Sequence, residues 1–583
     1  MKSLSYLNKY FIKYKWRLLL GILFIVANNF FKVETTEFFG DTTDELTNWD
    51  GSQSQDQLLF YALKAGGYFM LLALIAGLFL FMTRQTIIIV SRFIEYDLKN
   101  EIYAHYQRLS YSFYKRNSTG DLMNRISEDV SKVRMYLGPG IMYTINLAVM
   151  SILVITNMVQ ISGKMTLFVL APLPLMSYII YKVASRINKI STTVQEEQSK
   201  MSTIVQEAFS GIRVVKAYGR NKEVHDRFSN SAENYKSKSM RLVLVNALFM
   251  PTIFILIGIS TILCIYLGGM LFFDDQITQG GIMKFIIYVN MLTWPFASIG
   301  WVTSLIQRAA ASQTRINEFL DTPPEIVNHS QEPFEFMGNI EFKNVSFTYP
   351  NSGIKAITNL SFSIKRGESL GIVGKTGSGK STVLKLLMRQ IEPDSGVILI
   401  DGINMKDLNI ESFRDQSGIV PQEVFLFSDT IKNNLLFGSH EDNVNDEKLI
   451  EVTKAAHVYH NIVDFKQKFA TLLGERGVNL SGGQKQRLSI ARALIRNPKL
   501  LILDDCLSAV DTETEEIILS NLKKNSALTS LVVSHRISSI RHATRIINID
   551  SGSVIESGTH EELLKLNNDY AELYRKQLAE EHG

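Results

Sequence analysis

Cysteine is nearly absent from this 583-residue sequence, which contains two, Cys264 and Cys506. Cys264 lies in a long apolar run and Cys506 follows a pair of carboxylates. No disulfide is expected between them, and the second half of the chain suits a reducing compartment. Net charge is also slight: 61 Lys and Arg against 57 Asp and Glu leave +4. On a chain this long that balance says little about nucleic acid; the absence of a basic groove signal, together with long apolar runs, is what argues against such a partner. A third scarcity is local. Residues 33 to 57 contain no Lys or Arg but carry Glu34, Glu37, Asp41, Asp44, Glu45, Asp50 and Asp56, and "FFDDQITQGG" is likewise free of basic residues. No small-residue cleavage site follows "MKSLSYLNKYFIKYKWRLLL", so a retained anchor is expected rather than a signal peptide.

What the sequence does have is apolar length, unevenly placed. A membrane span needs about 20 mostly apolar residues. Six candidates are read in the first 310 residues, at 17–33, 58–82, 139–160, 165–184, 246–272 and 281–305. The fourth carries Pro172 and Pro174, which a span tolerates when neighbouring helices satisfy the freed carbonyls. Basic residues cluster before the first span (Lys2, Lys9, Lys13, Lys15, Arg17) and in 83–138 and 185–245. Both termini and both long segments are therefore expected in the cytoplasm, with short or acidic outer loops, in a multi-pass protein of the cell membrane. The two long segments are polar, with helical periodicity and few breakers. Helices that leave the membrane, turn near 113–130 and 210–228 and return would fit them. Lys64, in the second span, suits either snorkelling to the interface or lining a pathway. Asn28, Asn29, Asn146 and Asn290 suit either a cavity or helix packing.

The pattern changes at Asn339. The division expected is a membrane domain over 1–320, a linker over 321–338 and a nucleotide-binding domain over 339–583. "IEFKNVSFTYP" and "LSFSIKRGESLGIVG" alternate as half-buried strands do. The second runs into "GKTGSGKST": Gly374, Lys375, Thr376, Gly377, Ser378, Gly379, Lys380, Ser381 and Thr382. A helical run follows, which is the context a phosphate-binding loop requires. Its glycines let backbone N–H groups wrap phosphates at a helix N-terminus. Lys380 is expected on the β- and γ-phosphates and the Ser381 hydroxyl on Mg2+. "LLILDD" ends a buried strand in Asp504, which suits the partner Mg2+ ligand, and Asp505, which stands where a water-orienting carboxylate would. His535 follows another apolar strand, in "LVVSHR". "NLSGGQKQRLSIARALIRNP" makes a second phosphate-type helix start. One nucleotide does not need two cradles in one domain, so the second is expected to serve a nucleotide held by another subunit.

In this order, "GKTGSGKST", "LSGGQ", "LLILDD", "SAVD" and "SHR" resemble an ATP-binding cassette (ABC) transporter, and the six preceding spans with long cytoplasmic extensions resemble its exporter-type fold. The resemblance implies a six-helix transmembrane domain followed by an α/β P-loop cassette that uses ATP and Mg2+. It places Tyr349 against adenine and Gln422 on Mg2+. Glu475 falls in the loop that meets the coupling helices. Leu480, Ser481, Gly482, Gly483 and Gln484 form the signature over the partner's ATP, Ser508 to Asp511 the D-loop, and His535 is the switch histidine. It makes the chain a half-transporter that pairs with a second one and moves a hydrophobic small molecule or lipid.

The chain departs from the family at Asp505, where the pattern has Glu. The missing methylene shortens reach by on the order of 1.3–1.5 Å, and errors near 1 Å can cost about 10²-fold in rate. The expectation is a site that binds ATP and hydrolyses it slowly, in one member of a heterodimer whose partner carries the catalytic Glu and an altered signature. A homodimeric lipid flippase and a siderophore-type importer of the same fold are the alternatives.

Overall fold

The computed structural model describes residues 2–48, 55–350, 352–441, 444–474, 477–525 and 527–582. The chain forms two compact units. One comprises Met1–Gln107 and Ser118–Pro323, the other Arg108–Asn117 and Pro324–Gly583.

The first unit is built from long helices: α1 (Lys15–Thr47), α2 (Asp56–Arg108), α3 (Thr119–Ile161), α4 (Pro172–Ser210), α5 (Asn221–Phe273) and α6 (Gln279–Leu320). All except α4 are long and apolar enough to cross a membrane. The fourth expected span, 165–184, is divided. Gly163–Leu170 is one helix, and α4 starts after Ala171 with prolines in its first turn, where a missing N–H costs nothing. At about 1.5 Å per residue, the 53 residues of α2 and of α5 far exceed the hydrocarbon core, as the long polar segments required. The second bend, at Gly211, Ile212–Ala217 and Gly219, falls within the expected 210–228; the first, around Tyr111–Arg116, overlaps the expected 113–130 only at its start, because the chain is helical again from Thr119.

The stretch read as an acidic outer loop is different. Helix α1 continues through it to Thr47. A charge cluster around the buried Lys284, which loop reasoning does not see, ties this stretch to α6. Lys284 of α6 reaches Glu37 at 2.5 Å and Asp41 at 2.7 Å, Tyr288 donates its hydroxyl to Glu37, and Asp44 accepts the Gly280 N–H at 2.6 Å. Gly40 leaves room for the lysine stem, since a Cβ there would lie 2.3 Å from Lys284 Cε. The apolar core of this unit gathers around Phe285, Tyr288, Val289 and Leu292 of α6 with Val154, Met158, Met165 and Cys264.

The second unit contains β1 (Ile340–Thr348), β2 (Lys355–Ile364), β3 (Ser369–Val373), β4 (Ser395–Ile400), β5 (Ile403–Asn404), β6 (Ser417–Val420), β7 (Leu500–Asp504), β8 (Thr529–Val533), β9 (Arg545–Asp550) and β10 (Ser553–Gly558). An antiparallel sheet runs β2-β1-β4-β5 and a larger sheet runs β10-β9-β3-β8-β7-β6. In the larger sheet β3, β6, β7, β8 and β9 are parallel, with Leu370 opposite Leu531 and Asp504 opposite Val533. Alternate residues of β7 enter different cores: Leu500 and Ile502 join Phe342, Leu386 and Leu531, whereas Leu501 and Leu503 join Leu488 and Val532. A parallel sheet covered on both faces reads as a continuous apolar run, as "LLIL" does. The helices that matter for the site are α7 (Lys380–Leu387), α8 (Gly482–Leu494), α9 (Thr512–Lys523) and α10 (Asp569–His582).

Candidate functional site: a phosphate loop at the carboxyl ends of a parallel sheet

The loop from β3 into α7 is glycine-rich for steric reasons. Gly374 has φ +154° and a Cβ there would lie 2.1 Å from the Ile549 carbonyl oxygen; Gly379 has φ +103° and would meet the Ala356 carbonyl oxygen at 2.4 Å. Lys375, Thr376 and Gly377 are exposed at the crest of the loop, whereas Ser378, Lys380 and Thr382 are buried. Lys380 donates from Nζ to the carbonyls of Gly374 at 2.7 Å and Lys375 at 2.9 Å. Burial lowers the pKa of this ammonium, while Asp505 and Asp504 oppose the shift. An amine held on loop carbonyls beside an exposed crest of N–H groups is poised for a phosphate chain.

Ser381 Oγ donates to Asp504 Oδ1 at 3.2 Å, bringing together the two residues expected on a metal. Burial raises the Asp504 carboxyl, with the Ser381 hydrogen bond opposing it. A hydroxyl and a carboxylate facing one another are hard oxygen donors, which fits Mg2+ with phosphate oxygens completing the shell.

Asp505 sits on a tight turn with φ +45°, a conformation Asp tolerates better than most residues. Its N–H donates to the Val533 carbonyl at 2.8 Å, and its Oδ1 accepts the His535 N–H at 3.4 Å. The carboxylate is thus joined to the loop that carries His535. That loop has a second anchor that sequence reasoning missed. Gln577 of α10 donates from Nε2 to the His535 carbonyl at 2.6 Å and accepts the Ile537 N–H on Oε1 at 2.9 Å. A glutamine in a polar C-terminal helix gives no motif to find.

Tyr349 holds the opposite side of the loop, its hydroxyl 3.1 Å from Thr382 Oγ1 and its ring edge-on to Phe347. The segment Arg108–Asn117 packs beside it. Lys115 lies 5.7 Å from the centre of the Tyr349 ring, Ser112 and Arg116 both bind Glu325, and Ser110 Oγ accepts the Ile326 N–H at 3.1 Å. These groups border a cavity of about 100 Å³ next to the tyrosine.

Two expected partners are not brought in. Gln422 is exposed and, among the described residues, forms no side-chain hydrogen bond with the Ser381–Asp504 pair. Glu475 lies outside the described residues.

The signature opens α8. Ser481 accepts the Gln484 N–H at 3.3 Å and Gln484 Oε1 accepts the Ser481 N–H at 3.0 Å, a reciprocal cap that orders the helix start. Leu480 is buried beneath it, while Ser481 and Gly482 are exposed and Gly483 is partly so. A Cβ at Gly483 would crowd the Ala509 carbonyl at 2.8 Å. Gln486 accepts the Ala509 N–H at 3.1 Å, tying this helix to Ser508–Asp511. Asp511 in turn caps α9 by accepting the Thr514 N–H at 2.8 Å. Among the described residues, the hydrogen bonds of Ser481 and Gln484 run within the cap, and none reaches residues 374–382.

A phosphate cradle, a hydroxyl–carboxylate metal pair and long apolar helices on one chain define a membrane-embedded P-loop ATPase. The description "ABC transporter transmembrane region" matches residues 18–296 and "ABC transporter" matches 357–508. A Bacillus subtilis protein described as a probable multidrug resistance ABC transporter ATP-binding/permease protein, YheI, is 34% identical over 100% of this chain and 99% of its own. The multidrug resistance-like ATP-binding protein MdlA of Escherichia coli is 34% identical over 100% and 97%, and an ATP-dependent lipid A-core flippase of Coxiella burnetii is 34% identical over 84% and 83%. In fold the chain is similar to a bacterial Atm1-family ABC exporter solved with ATP bound, with a TM-score of 0.79 at 23% identity over 96% of this chain and 99% of that one. The chain belongs to the ABC transporter family. It has the exporter fold and is an ATP-hydrolysing transporter of the membrane, as the sequence motifs imply.

Proposed function

We propose that this chain is one half of a pair of unlike half-transporters that exports amphipathic small molecules across the cytoplasmic membrane by alternating access. Its own P-loop forms the slower of two composite ATP sites. In this reading residues 1–320 are the membrane domain, 339–583 the nucleotide domain, and both termini are cytoplasmic. Tyr349 and residues 374–382 hold ATP. Ser381 and Asp504 would hold Mg2+, with Gln422 reaching it only by moving in from its exposed position, and the ion would neutralise phosphate charge. Asp505 and His535 position the attacking water, and Leu480 to Gln484 close over the nucleotide of the partner.

The observation that carries the reading is the short carboxylate of Asp505. It is anchored on the backbone N–H of His535 at 3.4 Å, beside an intact, outward-facing signature. A side chain one methylene short, tied to its neighbouring loop, is a poor reach for a water beyond the phosphates. ATP drives the cycle only by favouring the closed pairing of cassettes over the open one. The packing of Arg108–Asn117 beside Tyr349 supports a route by which closure reaches the helices.

Purification of the tagged chain from native membranes tests this. A second, different half-transporter with Glu at the catalytic position is expected to accompany it, with one fast site per complex. A self-paired complex that turns over briskly at both sites would overturn the proposal. The lipid A-core flippase among the relatives favours one alternative, a self-paired lipid flippase, and the same preparation separates the two.

A further inference from the structure

Away from the nucleotide site, α1, α2, α3 and α6 border an open cavity of about 570 Å³ in the first unit. That volume suits a drug-sized or single-chain ligand. Most of its wall is apolar, including Leu80, Met150, Met291 and Trp294. Among the described residues, the only charged one lining it is Lys32 of α1. Lys32 is half-buried and stands near the midpoint of the Lys15–Thr47 helix rather than at its end.

The acids that share α1 are engaged elsewhere. Glu37 is held by Lys284 and Tyr288, Asp41 by Lys284, and Asp44 by the Gly280 N–H. Glu34, two residues on, projects from a different side of the helix. Among the described residues Lys32 forms no ion pair.

The neutral groups beside it are amides. Asn28, one turn before Lys32 on the same face, lines the cavity, is 3% exposed and has an Oδ1 with no partner. Asn146 already accepts from Asn29 Nδ2 at 2.9 Å, which leaves its amide N–H groups as donors in the cavity wall. The Lys32 ammonium and the Asn146 amide donors at one end, with an apolar wall beyond, complement an anion carrying a tail, and the free Asn28 Oδ1 can accept from a hydroxyl on its headgroup. A cation placed there would meet Lys32 in a medium where like charges repel strongly, and an unpaired charge within membrane helices marks a ligand path more often than a structural bond.

We propose that this cavity takes the anionic headgroup of an amphiphile, with Lys32 as its counter-ion and the apolar wall holding the tail. The inference rests on the export reading and narrows its substrate class.

Binding to the full-length complex in nanodiscs, read without ATP, tests it. The probes are dodecyl phosphate, dodecyltrimethylammonium and dodecyl maltoside, which share one tail. Dodecyl phosphate is expected to bind about tenfold or more tighter than the maltoside, with the cation weakest. Lys32→Gln should erase that preference while maltoside affinity holds, and Lys32→Arg should keep it. Lys64→Gln, on an exposed position of α2 outside the cavity, should change nothing. Inorganic phosphate distinguishes the source of the anion. No competition indicates an amphiphile, whereas competition at equal concentration indicates a soluble anion and overturns the tail assignment. Equal affinity for the phosphate and the cation, or a preference that survives Lys32→Gln, overturns the whole proposal. Failure of the export reading would look different: the binding order would persist while ATP drove no efflux from vesicles.

Discussion

The carboxylate of Asp505 and the backbone N–H of His535 are joined at 3.4 Å, so the two residues expected to handle the attacking water are tied to one another. Asp505 is short, and the hydrogen bond holds it back toward β8. Asp505→Glu is therefore expected to raise hydrolysis at this site by about 10- to 100-fold. Single-turnover ATPase measurements on the complex, with the other site disabled, would show it. An unchanged rate would mean that reach does not limit the chemistry.

Gln577 should matter for turnover more than for binding. It holds both sides of the His535 loop through two hydrogen bonds, and Gln577→Ala leaves those backbone groups without their partner at a cost of about 1–3 kcal/mol. ATP affinity is expected to stay within about twofold while kcat falls about fivefold or more. A matched loss in both would assign Gln577 a purely structural role.

The Lys284 cluster is expected to be a stability determinant. Lys284→Met strips the partly exposed Glu37 and the exposed Asp41 of their shared cation and should cost about 1–3 kcal/mol, whereas the Glu37→Gln, Lys284→Met double variant should cost less than the two changes added together. Thermal unfolding in detergent is the measurement. Strict additivity would show that Glu37 and Lys284 do not act as a unit.

Glu515 gives a pH prediction. It is buried in α9 and accepts from Ser539 and, at 3.5 Å, from Ser538. Burial raises its carboxyl above the ordinary 4.5, with the Ser539 hydrogen bond opposing. The folded chain thus holds this proton more tightly than the unfolded one. Its contribution to stability is complete below the unfolded value and is lost as pH rises through the folded one. Glu515→Gln cannot ionise. Its Tm relative to the parent should climb as pH rises above the ordinary carboxylate range, and a flat difference would refute the assignment.

The nucleotide half was legible in the sequence because its constraints are local. Gly374 and Gly379 are forced by backbone clashes within their own motif, and "LLIL" announces a strand covered on both faces. What escaped is non-local. Lys284 and Glu37 lie 247 residues apart, so charge counting assigned the acids of α1 to an outer loop when they belong to a helix. Asn28 and Asn146 were readable only as cavity or packing residues. Their placement beside Lys32 depends on how four helices come together, which no periodicity encodes.

The early excursion of Arg108–Asn117 into the second unit bears on how such proteins are dissected. A fragment cut at the apparent boundary and expressed from Pro324 onward would lack Lys115 over the Tyr349 ring and would leave Glu325 without Ser112 and Arg116. With Tyr349 holding the nucleotide as proposed, affinities measured on that piece would describe a ring stripped of the segment packed beside it, and would understate the intact transporter.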